Sequence, residues 1–229
     1  MKRGKLFGVG VGPGDPELMT LKAVRIIEES EVIAVPGDRP ENSVAYRIAE
    51  KGCKNLSGKE TVAIPMPMTK VEKTLQESQE KGANILAGFL DQGKQVAFLT
   101  LGDPSVYSTF LYLKRILENL GYDTEMVSGI PSFCAAAAAL NIGLSEKSES
   151  LHIIPASYPV EEALQLSGTK VLMKSGKKLE QVREQLLERG MDARMVENCG
   201  MEGEKHYLSA REMPGQGSYY SIIVVKEQQ

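Results

Sequence analysis

The chain has 229 residues, 42% hydrophobic and 25% charged, a balance that argues against a disordered chain or a coiled coil and suffices for one large domain or two small ones. With 27 Lys and Arg against 30 Asp and Glu, the formal charge is −3, which argues against a general nucleic-acid binder. Cys53, Cys134 and Cys199 are widely separated, without zinc-site spacing, and neither a signal-peptide pattern nor a membrane-length apolar run occurs, so a cytoplasmic protein with reduced thiols is expected.

In chain order, "KLFGVGVG" predicts a short buried strand. "DPELMTLKAVRIIEES" predicts a helix with Asp15 as N-cap, Pro16 in its first turn, and Leu18, Leu21, Val24 and Ile27 at near-helical spacing. "EVIAVPG" reads as the next strand, "SVAYRIAEKG" as a helix, "TVAIPMPM" as extended chain, and "KVEKTLQESQEKGANILAGFLDQG" as a long charged helix closed by Gly93. "QVAFLTLGD" is a further apolar strand. The Asp-Pro pair after it predicts a helix capped by Asp103, begun by Pro104 and burying Phe110, Leu113, Leu117 and Leu120. Apolar strands alternating with helices indicate α/β units around a largely parallel sheet.

Beyond "ENLGYD" strands shorten and turns become denser. "TEMVSG", "SLHIIPAS", "TKVLMKS", "DARMVEN" and "SYYSIIVVKE" are candidate strands, and "PSFCAAAAALN", "PVEEALQLS" and "KKLEQVREQLLERG" candidate helices. They predict a second α/β domain with a more mixed sheet. The boundary is expected near residues 120–122, giving domains 1–120 and 121–229.

Three segments draw attention to ligands. In "GVGVGPGD" the sixth position is Pro13 counted from Gly8 and Asp15 counted from Gly10, so G-x-G-x-x-G fails, and the P-loop Lys and Ser/Thr are also missing. Gly10, Gly12 and Gly14 nevertheless exceed what a tight turn needs, which suggests a ligand-facing loop beside the plainer reading of a strand-to-helix turn. In "TLGDPSVYST", Thr100, Ser105, Tyr107, Ser108 and Thr109 crowd around Asp103 at a strand's carboxyl end, where open α/β sheets bind ligands. A carboxylate there favours a cationic group. In "SGIPSFCAAAAAL" the small side chains suit either close packing on a sheet or the approach of a flat ligand.

Taken together and in order, "GVGPGDPELMTLKA", "VIAVPG", "LTLGDPSVYST", "SGIPSFCAAAA", "VLMK" and "VENCGMEGE" resemble the tetrapyrrole methylase family across residues 5–226, particularly its branch methylating C20 of precorrin-2 or cobalt-factor II. The resemblance implies two α/β domains with the active site in the cleft between them, S-adenosyl-L-methionine as methyl donor, a tetrapyrrole substrate and a homodimer. Carried over by position, Pro13 borders the cofactor, and Leu101, Gly102, Asp103 and Val106 hold its methionine part. Pro131, Ser132, Leu172, Met173, Asn198, Cys199 and Gly200 then complete the pocket around adenosine. The chain departs from the family's usual Pro-Gly-Ile-(Ser/Thr) turn with Ser128 and Pro131, and Pro131 has no N–H to donate.

The implied chemistry needs an electron-rich ring carbon, a sulfonium methyl in line with it and loss of the C20 proton, so the protein mainly positions and stabilises charge. No Ser-His-Asp arrangement is required, and His152 and His206 are read as structural or surface groups. Asp103 is the candidate catalytic residue, through its field or by helping remove the proton. The substrate's carboxylates call for basic partners, for which Arg39, Arg47, Lys70 and Arg115 are candidates, and Tyr107 is a candidate for packing on the ring. No protein-bound metal is expected, any cobalt belonging to the tetrapyrrole. Methylation of another tetrapyrrole carbon, of ribosomal RNA or of a diphthine precursor, and a non-catalytic metabolite-binding module, stand as alternatives.

Overall fold

Five short strands build the first sheet: β1 (Lys5–Gly10), β2 (Val32–Pro36), β3 (Glu60–Ile64), β4 (Val96–Thr100) and β5 (Asp123–Val127). They lie in the order β3-β2-β4-β1-β5, every pair parallel. The computed structural model describes residues 2–67, 69, 71–155 and 159–227, in two compact units, Met1–Pro131 and Ser132–Gln229. β4 is buried along its whole length, as a parallel strand covered on both faces must be.

Alternation along the strands separates two cores. Ile33, Val35, Ala97 and Leu99 meet Ile26 and Ile27 of α1 (Leu21–Glu29) and Ile48 of α2 (Val44–Gly52). On the other face Val32, Val96 and Phe98 meet Leu86 and Leu90 of α3 (Glu72–Asp91) and Leu113 and Leu117 of α4 (Phe110–Asn119). β-branched strands and amphipathic helices of this kind follow directly from the apolar periods of the sequence.

Local departures have local causes. The expected first helix divides: Asp15 accepts from the Glu17 N–H at 2.9 Å over a 3₁₀ turn, Pro16–Leu18, and α1 starts afresh where the Thr20 hydroxyl caps Ala23 at 3.1 Å. Asp103 does not cap α4, which begins only at Phe110, where the buried Ser108 Oγ accepts the Phe110 N–H at 3.1 Å. Leu120 follows the last turn of α4 and is 52% exposed, outside the core. "TEMVSG", grouped by texture with the second domain, forms β5 and pairs with β1 in the first sheet.

The second unit holds α5 (Ser132–Ala139), β6 (Leu151–Pro155), α6 (Val160–Ala163), β7 (Thr169–Met173), α7 (Leu179–Glu188), β8 (Asp192–Glu197), β9 (Lys205–Tyr207) and β10 (Ser221–Lys226). Its sheet runs β6-β7-β10-β8-β9, parallel only between β6 and β7. This is the mixed sheet the sequence predicts, with β9 as an additional edge strand. Leu172, Leu179, Val182, Leu186, Met195 and Ile223 form its core, while the alanines of α5 let that helix approach β8 and β10. Among the described residues no helix is long and apolar enough to cross a membrane.

One carboxylate ties the sheet to the segment before it. Glu149 accepts from the Thr169 hydroxyl at 2.6 Å and from Lys226 Nζ at 2.9 Å, and these partners, Thr169 first, hold its carboxyl at about 2 against an ordinary 4.5. Because the unfolded carboxyl takes its proton first, this stabilisation is complete above pH 4.5 and disappears as pH falls towards about 2. Glu149→Gln is therefore expected to melt at a lower temperature than the parent at neutral pH, with the gap closing across that acid window in a series of thermal melts.

Candidate active site

β4, β1 and β5 are neighbours, so the loops leaving their carboxyl ends emerge side by side, and these loops carry the three segments singled out in the sequence. Gly12 donates to the Gly102 carbonyl at 3.3 Å and Gly102 to the Gly12 carbonyl at 2.7 Å, both residues in the left-handed region with φ of 77° and 74°. A Cβ on Gly10 would sit 2.6 Å from both Gly102 O and Gly129 N, and one on Gly129 would strike Gly102 O and the backbone of Gly10. The Thr20 hydroxyl adds a bond of 3.2 Å to Ser128 O. The glycines therefore serve close backbone approach between loops.

Asp103 closes this knot. The residue is 8% exposed; Oδ1 accepts the Ser105 N–H at 2.8 Å together with the Ser105 hydroxyl, and Oδ2 accepts the Gly129 N–H at 2.9 Å. One carboxylate thus folds its own loop into an Asx turn and ties it to the loop after β5. Half-buried Leu101 and Val106 flank it, and buried Pro13 lies in the loop bonded to Gly102.

Tyr107, in the same loop, is 47% exposed and has φ of 48°, a costly conformation for a bulky side chain and one found where loop geometry is fixed for function. Arg39 is exposed just beyond β2, at the same edge of the sheet. Arg115 is the sixth residue of α4, whose course carries it away from that edge, and Arg47 is exposed on α2. Lys70 lies outside the described residues.

In the second unit, the predicted residues again collect at one sheet edge. Met173 stands opposite Ile222, and Ile222 opposite Val196, so the chain ends after Leu172–Met173 and before Asn198, Cys199 and Gly200 face the same way. Asn198 has φ of 52°, and its amide is committed to this turn: Nδ2 donates to Gly203 O at 3.3 Å and Oδ1 accepts from Ser218 Oγ at 2.8 Å. Burial, followed by Glu204, pushes the Cys199 thiol up to about 11, which leaves it protonated and no nucleophile. Pro131 and Ser132 sit where the first unit gives way to α5.

Several supporting groups had no signal of their own in the sequence. Buried Glu197 accepts from Tyr207 OH at 2.9 Å and Ser218 N–H at 2.6 Å, pinning the β8 end to β9 and to the start of β10. Gly129 lies inside "SGIPS" and Glu204 inside "VENCGMEGE", but nothing local marks their roles as a donor to Asp103 and an acceptor from Gly200. Among the described residues no group of three or more His, Cys, Asp or Glu side chains is placed to hold a metal ion.

Residues 5–213 match the family model for Tetrapyrrole (Corrin/Porphyrin) Methylases. The chain is 38% identical over 172 residues to the probable cobalt-precorrin-2 C(20)-methyltransferase of Methanocaldococcus jannaschii, covering 75% of this chain and 72% of that protein. It is 29% identical over 235 residues to the cobalt-precorrin-2 C(20)-methyltransferase of Salmonella typhimurium, covering 98% and 97% respectively. The crystal structure of a Thermus thermophilus uroporphyrin-III C-methyltransferase complexed with S-adenosylhomocysteine shares the fold, with a TM-score of 0.73 at 21% identity over 98% of both chains.

Proposed function

Because this chain belongs to the tetrapyrrole methylase family, we propose that it transfers a methyl group from S-adenosyl-L-methionine to C20 of precorrin-2, in corrin synthesis, with the cobalt-bearing ring as its physiological substrate. The observation that carries this reading is the identity with C20-methyltransferases along most of their length, the two described above both being named for the cobalt form. Within the first unit, a carboxylate fixed by the Gly129 and Ser105 N–H groups, with half-buried Leu101 and Val106 in the same loop, supports the cofactor reading.

When bound, S-adenosylmethionine supplies an electrophilic methyl on a sulfonium. The chain's own part is placement. Both oxygens of Asp103 already accept hydrogen bonds, so we assign it the negative field near the sulfonium and the joining of two loops, rather than removal of the ring proton. Leu101 and Val106 exclude water beside it. Arg39 and Tyr107, exposed at the same sheet edge, are our candidates for a substrate carboxylate and the ring face; Arg115, farther along α4, is the weaker candidate.

The test is anoxic incubation of the purified protein with methyl-labelled S-adenosylmethionine and either metal-free or cobalt-bearing precorrin-2. Label should enter both rings and enter the cobalt form faster. Cofactor binding without transfer to either would overturn the enzymatic reading in favour of a metabolite-binding module. We further propose a homodimer in the cytoplasm, supported by the family resemblance; light scattering should give about twice the 25.0 kDa of one chain.

A further inference from the structure

Residues 198–204, between β8 and β9, form a turn with three left-handed positions, Asn198, Gly200 and Gly203, at φ of 52°, 72° and 79°. Such a turn does not hold itself in shape without partners. Met201 N–H donates to Asn198 O at 2.8 Å within it, and the Asn198 amide ties it to Ser218. Asn198 Nδ2 donates to Gly203 O at 3.3 Å, the Asn198 N–H to Tyr220 O at 3.0 Å and the Glu204 N–H to Met201 O at 3.2 Å. The Gly200 N–H is held by a side chain: Glu204 Oε2 accepts it at 2.5 Å, while Oε1 lies 2.5 Å from His206 Nε2 on β9. This repeats in the second unit what Asp103 does in the first, a carboxylate accepting the backbone N–H of a glycine in a candidate cofactor loop.

We propose that Glu204, oriented by His206, is a positioning residue that holds the 198–200 turn in its cofactor-binding shape and thereby sets cofactor affinity without acting on the methyl-transfer step. This rests on the cofactor reading given above. The Gly200 N–H, ahead of His206, holds the Glu204 carboxyl below its usual range, so the charged acceptor is the form present at neutral pH. The pair lies at the surface, with side-chain exposures of 32% for Glu204 and 38% for His206, so removing it leaves no buried hole and the fold survives.

The experiment is titration calorimetry of the parent, Glu204→Ala and Glu204→Gln with S-adenosylhomocysteine, alongside thermal melts and the steady-state kinetics of methyl transfer. Glu204→Ala should bind about tenfold more weakly and raise the KM for S-adenosylmethionine to match, with kcat within about twofold of the parent and an unchanged melting temperature. Glu204→Gln, which keeps an acceptor oxygen for Gly200, should recover most of the affinity. Parent-like binding by Glu204→Ala, a fall in kcat at constant KM, or a Gln variant no better than Ala would each overturn the proposal while leaving the cofactor reading intact. Failure of the parent itself to bind S-adenosylhomocysteine would overturn both.

Discussion

Asp103→Ala is expected to lower methyl transfer about a hundredfold, the scale of loss that follows when reacting groups are misplaced by about an ångström. Two consequences of the substitution act together. The Gly129 and Ser105 N–H groups lose their acceptor, each costing about 1–3 kcal/mol if left unsatisfied, so the loops after β4 and β5 separate. The negative charge assigned to the sulfonium's surroundings also disappears. Asp103→Asn separates these effects, because its carbonyl oxygen can still accept one of the two N–H groups while the charge is gone. It should keep a melting temperature closer to the parent's and still lose turnover about tenfold or more, as removal of a charge-stabilising group does. Near-parent turnover by a folded Asp103→Ala protein would reduce Asp103 to a loop fastener.

The second large effect is steric. Gly129→Ala places a methyl group against the Gly102 carbonyl and 2.8 Å from the Cα and carbonyl carbon of Gly10, all of them backbone atoms that cannot step aside like the end of a long side chain. The substitution should cost about 3 kcal/mol or more, within the range reserved for severe core strain, and should abolish cofactor binding because all three loops shift. Gly88→Ala is the internal control. Gly88 lies within α3 with nothing near its would-be Cβ, so alanine there should raise stability by about 0.5–1 kcal/mol. Denaturant melts of both variants beside the parent measure the contrast, and similar behaviour at the two positions would contradict the close-packed loop knot.

The sequence made the architecture legible through its apolar periods. "VIAVP" and "VAFLT" are short and β-branched or bulky enough to be buried parallel strands, and the helix-period residues between them predict covering helices. The three segments were also legible as loops at the carboxyl ends of strands, and their glycines meet one another's backbone there. What local reading missed is non-local. Asp-Pro after β4 carries every mark of a helix N-cap, yet Gly129, 26 residues away in sequence, takes one of the carboxylate oxygens and the helix waits for Ser108 and Phe110. Nothing local in the sequence announces that the Asn198 amide bonds Gly203 and Ser218. β9 consists of Lys205, His206 and Tyr207, too short and too polar to announce a strand, and it is seen only through its pairing with β8.

C20 methylation is tested most directly by the position of the transferred carbon. Carbon-13 NMR of the product formed from methyl-labelled S-adenosylmethionine and cobalt-bearing precorrin-2 should place the label on C20 alone. A label on any other ring carbon, or a ring recovered without label from protein that binds the cofactor, would contradict it.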